Sequence, residues 1–326
     1  MKKKISALLT VTLIFSFLST VTFAADRESD IIKMHQNQIS ISSQNFSYEK
    51  PLSKDEINKK ISDIQENYRK SHKSTESERK AALEKASRIE SIFNTSNKNI
   101  SDPQPSFNTA AASSSYDSNK AKLREGNFIE GILDDDEGMT ASQIYALGIT
   151  TANSARSIAA SQYPNDVMLQ DAYRHFTWNF ISTFNSSLGM NPTYIGTVNH
   201  EWGLLLLEPM TNYYDSQYQS YISDGYSSEN SSVWAFSDTV NYIPIMKETI
   251  VRYCKAGYSF FSGFMDASNI MDLTNNFEGR YYTFNFSASN YKGAFDKAIA
   301  DGAIIKSESS VGDTQKRNLW NLQAYY

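Results

Sequence analysis

Outside a polar N-terminal third, the chain has two histidines, and each sits among groups that could do chemistry with it. His175 lies in Asp171-Ala-Tyr-Arg-His-Phe-Thr-Trp-Asn179, and His200 in Asn199-His-Glu-Trp-Gly203. A third polar group follows in Met271-Asp-Leu-Thr-Asn-Asn-Phe-Glu-Gly-Arg280. On a helix, Asp171, Arg174, His175, Trp178 and Asn179 share one face, because residues three and four apart are neighbours. Asp272, Asn275, Asn276, Gly279 and Arg280 fall at the same steps. Neither face is the loose Lys/Glu mixture of a solvated helix.

Two chemistries fit. In the first, His175 or His200 is a general base on water, oriented by Asp171, Glu201 or Asp272. Arg174 or Arg280 then stabilises negative charge, while Trp178, Asn179, Asn275, Asn276 and Arg280 contact substrate. In the second, His175, His200 and a carboxylate from Asp272 or Glu201 hold one divalent metal ion, which lowers the pKa of a bound water. His200-Glu201 is not the zinc-protease pair, because Leu204 stands where the second histidine would be. A purely structural reading stands beside both: Asp171 with Arg174 as an ion pair, and Asn275 and Asn276 as bridges between helices. Gly279 costs a helix about 1 kcal/mol relative to Ala, which close approach of another helix or of a substrate would justify.

These groups need helices to hold them. Tyr173, Phe176, Phe180 and Phe184 form an apolar stripe that predicts a core-facing helix from Val167, capped by Asn165 or Asp166. Helices are also expected over 140–160, over 194–207 with Pro209 closing it, over 237–261 interrupted at Pro244, and over 291–302. Residues 211–232, polar and Tyr-rich, read as an irregular loop and a short helix. Two-residue alternation is scarce, so the fold class is mainly α. Asp134-Asp-Asp-Glu137 lacks the spacing of a calcium loop and reads as a solvated acidic turn.

The organisation read from composition has three parts. Residues 1–24, with Lys2, Lys3 and Lys4 before an apolar run ending at Ala24, form a signal peptide, so the chain is expected to be secreted. Residues 25–118 form a polar extension. Ile57, Ile61, Ile64 and Tyr68, then Ala81, Ala82, Leu83, Ala86 and Ile89, mark one or two amphipathic helices, followed by a Ser/Pro linker. This extension reads as a spacer or mobile hairpin, or as an arm that docks on a partner. Residues 119–326 form the helical domain with the candidate site. The formal charge is -5, and removing the three lysines of the leader makes it -8. An acidic chain has no general attraction for nucleic acid. No segment of the mature chain is apolar for long enough to span a membrane. Cys254 is the only cysteine, so disulfides and Cys-rich metal sites are excluded, and it reads as a buried apolar residue.

The ordered motifs Asp171 to His175 with Trp178-Asn179, then His200-Glu201, then Met271 to Arg280, resemble an uncharacterised family of bacterial domains of unknown function. It is seen in exported proteins and in the C-terminal regions of polymorphic toxins. The resemblance covers about Val167 to Arg280 and implies that His175, His200, Glu201, Asp272, Asn276 and Arg280 form one site. Position 274, a threonine here, is often a histidine in that family. A weaker likeness is to secreted bacterial phospholipases A2, which pair a helical His with an Asp on an adjacent helix. This chain lacks their Asp directly after the His, their calcium loop and their disulfides. The functional expectation is an exported bacterial hydrolase, toxin-like in setting, acting on a substrate at the cell surface or outside the cell. The alternatives are a non-enzymatic secreted binding module and a phospholipase A2-like lipid hydrolase.

Overall fold

The computed structural model describes residues 50–97 and 114–326. The expected leader, the first part of the extension and the Ser/Pro linker lie outside the described residues. Among the described residues the protein is all-helical. In chain order the helices are α1 (Lys54–Ser71), α2 (Glu76–Asn97), α3 (Ser115–Lys122), α4 (Gly126–Asp136) and α5 (Ala141–Tyr145). A π-helical segment (Ala146–Thr151) leads into α6 (Ala152–Gln162), α7 (Val167–Thr183), α8 (Met190–Leu205) and α9 (Leu207–Ser223). Then follow α10 (Ser228–Ala256), α11 (Tyr258–Phe264), α12 (Ala267–Tyr281), α13 (Tyr291–Ala300) and α14 (Asp313–Leu322). No helix among these residues is long and apolar enough to cross a membrane.

The hairpin α1–α2 is built into the same core as the rest. Ile57, Ile61, Ala82, Ala86, Ile89 and Ile92 are buried in one apolar cluster with Phe128, Ile132, Phe236 and Val240. Ser53 caps α1 in a reciprocal capping box with Glu56. Arg79 reaches Asp238, and Arg88 pairs with Asp135 at 2.7 Å. Over residues 50–97 the extension is therefore neither spacer nor free arm. Its apolar stripe, too narrow to be stable alone, is covered by α4 and α10.

Other differences from expectation have local causes. Residues 207–223 form one helix, because Met210, Tyr213, Tyr214 and Gln217 recur at helical steps and are buried; the tyrosines disguised a core face as a polar stretch. Pro209 does not close α8 but sits in the first turn of α9, where a missing N–H is tolerated. Likewise α8 begins at Met190, with Pro192 in its first turn. Helix α10 runs through Pro244 without a break. The acidic run ends α4, and Asp134 is buried, accepting from Asn199 Nδ2 at 2.9 Å. Phe184 is exposed at the end of α7, while Tyr173 and Phe176 pack on Phe295 and Phe180 stacks on Phe176 in a second apolar cluster. Cys254 is buried, and burial pushes its thiol well above the ordinary range.

Candidate functional site

Helices α7, α8 and α12 pack against one another, with α4 behind α8. Asp166 starts α7 by accepting from Leu169 N–H at 3.0 Å. Gly279 sets how closely α12 lies on α7. A Cβ there would stand 2.3 Å from the Phe176 carbonyl oxygen and 2.8 Å from Asn179 Cβ. The close approach foreseen for this glycine is that of a helix. Gly203 does the same between α8 and α4, where a Cβ would meet Gly126 O at 2.6 Å.

This packing brings Asp171, His175 and Asp272 together, with one ligand atom of each within 4.8 Å of the others. His175 Nε2 lies 3.4 Å from Asp272 Oδ1 and 3.9 Å from Asp171 Oδ1. Arg174 donates to Asp171 Oδ1 at 2.5 Å and to His175 Nε2 at 2.7 Å. His175 is 1 % exposed and Asp272 6 %. Among the described residues nothing donates a hydrogen bond to Asp272 Oδ1, although it is buried.

The tautomer of His175 is set by a relay that begins at a group able only to donate. Arg280 Nη1 donates to Asn179 Oδ1 at 2.6 Å. The amide nitrogen of Asn179 is thereby turned toward the His175 carbonyl, at 3.0 Å, and toward Asn276 Oδ1, at 2.6 Å. Asn276 Nδ2 points the other way, to the Thr197 carbonyl and Glu201 Oε1. Asn276 Oδ1 is then an acceptor facing His175 Nδ1 at 3.0 Å, so Nδ1 carries the proton. The Nε2 lone pair accepts from Arg174 Nη2, and both carboxylates lie beside it. Burial, then the charges of Arg174 and His200, hold the His175 pKa well below the ordinary value near 6.5, so the ring is neutral. Asp272 Oδ1, 3.4 Å from His175 Nε2, is buried with no donor among the described residues, a cost that a proton or a cation would relieve. Burial, then the charges of Glu201 and Asp171, push the Asp272 carboxyl far above the carboxylate range, which favours the proton when no cation is bound.

His200 is close but differently disposed. Its ring centroid is 6.4 Å from that of His175, and Trp178 stands edge-on between α7 and α8, 5.2 Å from His200. His200 Nδ1 is bonded to Glu130 Oε2 at 2.9 Å. Burial pulls its pKa down, but the charge and hydrogen bond of Glu130, with the charge of Glu201, outweigh burial and leave it at about 9. A charged imidazole is a poor metal ligand. The geometry thus assembles one histidine and two carboxylates rather than the two-histidine set. Glu201 is fully buried on the Nδ1 side of His175, at 3.7 Å, and burial raises its pKa.

A small cleft lies beside the cluster at Arg174, lined by Glu130, Arg156, Arg174, Trp178, His200 and Gly148 among others. Of the residues expected to touch substrate, Asn179, Asn276 and Arg280 are buried in the relay, and Trp178 contributes one wall while its indole N–H bonds to Leu147 O. Arg280 is wholly buried, so of the two arginines expected to stabilise charge it is Arg174 that lines the cleft. Asn275 is turned away, exchanging two hydrogen bonds with Ile305. Sequence reasoning missed Glu130 and Arg156. Each carried a signal: Glu130 interrupts the apolar run Phe128 to Leu133, and Arg156 is the single charge on α6. The cleft wall at Gly148 belongs to the π segment, a distortion that often accompanies functional sites. No protein-family model, curated protein or solved structure matches the chain.

Proposed function

We propose that the protein is an exported bacterial hydrolase that uses one divalent ion held by Asp171, His175 and Asp272. The observation that carries this reading is the convergence of His175 Nε2 with two carboxylates, of which Asp272 Oδ1 is buried and, among the described residues, accepts no hydrogen bond. Two carboxylates and a neutral imidazole balance a dication, which makes the burial tolerable. The mixed N and O donors suit Mn2+ or Zn2+. Asn276 supplies the outer hydrogen bond that a ligating imidazole needs. Arg174 already supplies positive charge to the cluster and is 30 % exposed, so it can turn into the cleft when an ion takes that place.

The ion would make a bound water acidic enough to yield hydroxide near neutral pH. The water oxygen bonds to the electrophilic atom of the substrate, and its proton leaves to solvent. The bond to the leaving group breaks, and that group departs with a proton from His200. Arg174 faces the charge that develops. Export rests on the signal-like leader, and the order of the three motifs supports a single site. A second reading, lipid-ester hydrolysis with His175 as base, draws support from the adjacency of Asp272, on the neighbouring helix.

Calorimetric titration of the purified chain with Mn2+ and with Zn2+ tests the proposal. One ion per chain is expected, with affinity reduced at least about a hundredfold in Asp272→Asn and in His175→Gln. Hydrolysis of phosphoester, lipid-ester and cell-wall substrates should depend on the ion and vanish in both variants. Failure to bind either ion at millimolar concentration would remove the metal. If His175→Ala with His200→Ala kept every measured activity, the protein would be a binding module instead.

A further inference from the structure

Arg156 brings the cleft a positive charge that the Asp171, His175 and Asp272 cluster does not use, since Arg174 is the arginine paired within that cluster. Arg156 from α6 and Arg174 from α7 line it together with His200. Arg156 is exposed, and among the described residues its hydrogen bond is donated to a neutral partner, Asn153 Oδ1, at 2.6 Å. The protein as a whole is acidic, with a formal charge of -5, so its general field repels anions. The cleft also holds the Glu130 carboxylate, which is bonded to His200, so Arg156 adds a guanidinium that has no carboxylate partner among the described residues. Guanidinium forks match the oxygens of a phosphoryl group in geometry as well as in charge. A neutral glycan or a carboxylic ester would gain little from two of them.

We propose that the cleft binds a phosphoryl group between Arg156 and Arg174, with His200 as a third donor, and that the substrates are phosphoesters. The reaction rests on the hydrolase reading above, whereas the binding step does not. In that reaction a water oxygen bonds to phosphorus, the bond from phosphorus to the leaving oxygen breaks, and the leaving group departs with a proton. No oxidant or reductant is required. Arg156 is a positioning residue: it holds the group that reacts at the neighbouring cluster.

The test uses the full chain, the wild type beside Arg156→Ala and Arg156→Lys, titrated with inorganic phosphate and separately with Mn2+. Phosphate should bind the wild type, about tenfold or more weakly in Arg156→Ala, and at an intermediate level in Arg156→Lys, with Mn2+ affinity unchanged throughout. Bis(p-nitrophenyl) phosphate and phosphatidylglycerol vesicles then separate soluble from lipid sources, and Arg156→Ala should raise KM more than it lowers kcat on whichever is cleaved. If phosphate does not bind the wild type, or binds Arg156→Ala equally, the clamp is wrong even with Mn2+ bound, and the hydrolase reading stands. If phosphate binds in an Arg156-dependent way while Mn2+ does not bind, the clamp stands and the metal reading falls.

Discussion

At the scale of single residues, His175 depends on neighbours that never face the cleft. Asn276→Ala removes the acceptor for Nδ1–H and leaves Asn179 and Glu201 short of partners in a fully buried place. Stability should drop by about 2–4 kcal/mol in denaturant titration. In 15N NMR of labelled imidazole the strong preference for the Nδ1–H tautomer should weaken. His200 gives a pH signature. Its pKa rises from about 6.5 unfolded to about 9 folded. A raised pKa on a base stabilises fully below about pH 6.5, and the benefit is lost as pH climbs through 9. At about 1.4 kcal/mol per pH unit, the linkage is worth roughly 3 kcal/mol at most. Melting temperatures between pH 6 and pH 10 should therefore fall more steeply in the wild type than in Glu130→Gln, whose deficit is greatest at pH 6. Parallel curves would show that the pair is not ionised.

Among the elements, the contact of α7 with α12 is the most exacting. Gly279→Ala gains about 1 kcal/mol of helix propensity, yet its methyl would press on a backbone carbonyl that has no rotamer to escape into. The collision should win, with a net loss of about 2 kcal/mol. Because Asp272 rides on the displaced helix, Mn2+ affinity should fall at least about tenfold in the same variant. The elements that carry the three motifs were legible in sequence, since their polar faces are interrupted by few breakers and backed by aromatics at regular steps. Which side chain does what was less legible. Asn275 and Arg280 have the spacing of site residues, but helical rotation turns the first to Ile305 and burial seals the second inside the relay. Glu130 could not be linked to His200 from sequence because the pairing is made across two helices that are distant in the chain.

For the molecule as a whole, the hairpin α1–α2 folds with the rest. Ile89 is fully buried between α2 and α4. Ile89→Ala should cost about 2–5 kcal/mol, and aromatic fluorescence and far-ultraviolet circular dichroism should still report a single coincident transition. Two transitions would mean that the hairpin unfolds by itself. Its helices were visible in the spacing of Ile57, Ile61 and Ile89, but their docking was not, because an amphipathic stripe does not say which surface will cover it. The buried join of Lys247 to Glu137 and Asn199 was equally hidden, since lysine is ordinarily a surface residue.

Phe93, near the end of α2, rests behind two glycines: a Cβ at Gly131 would crowd its ring at 3.1 Å, and one at Gly148 would just touch it at 3.4 Å. Gly131 belongs to the helix of Glu130, and Gly148 to the wall of the cleft. A bulky ring contributed by a far upstream stretch is thus the buttress of the cavity wall. Trimming it to alanine should leave every reactive side chain in place and yet slacken the surface that substrate must press against, so turnover would suffer without any loss of chemistry.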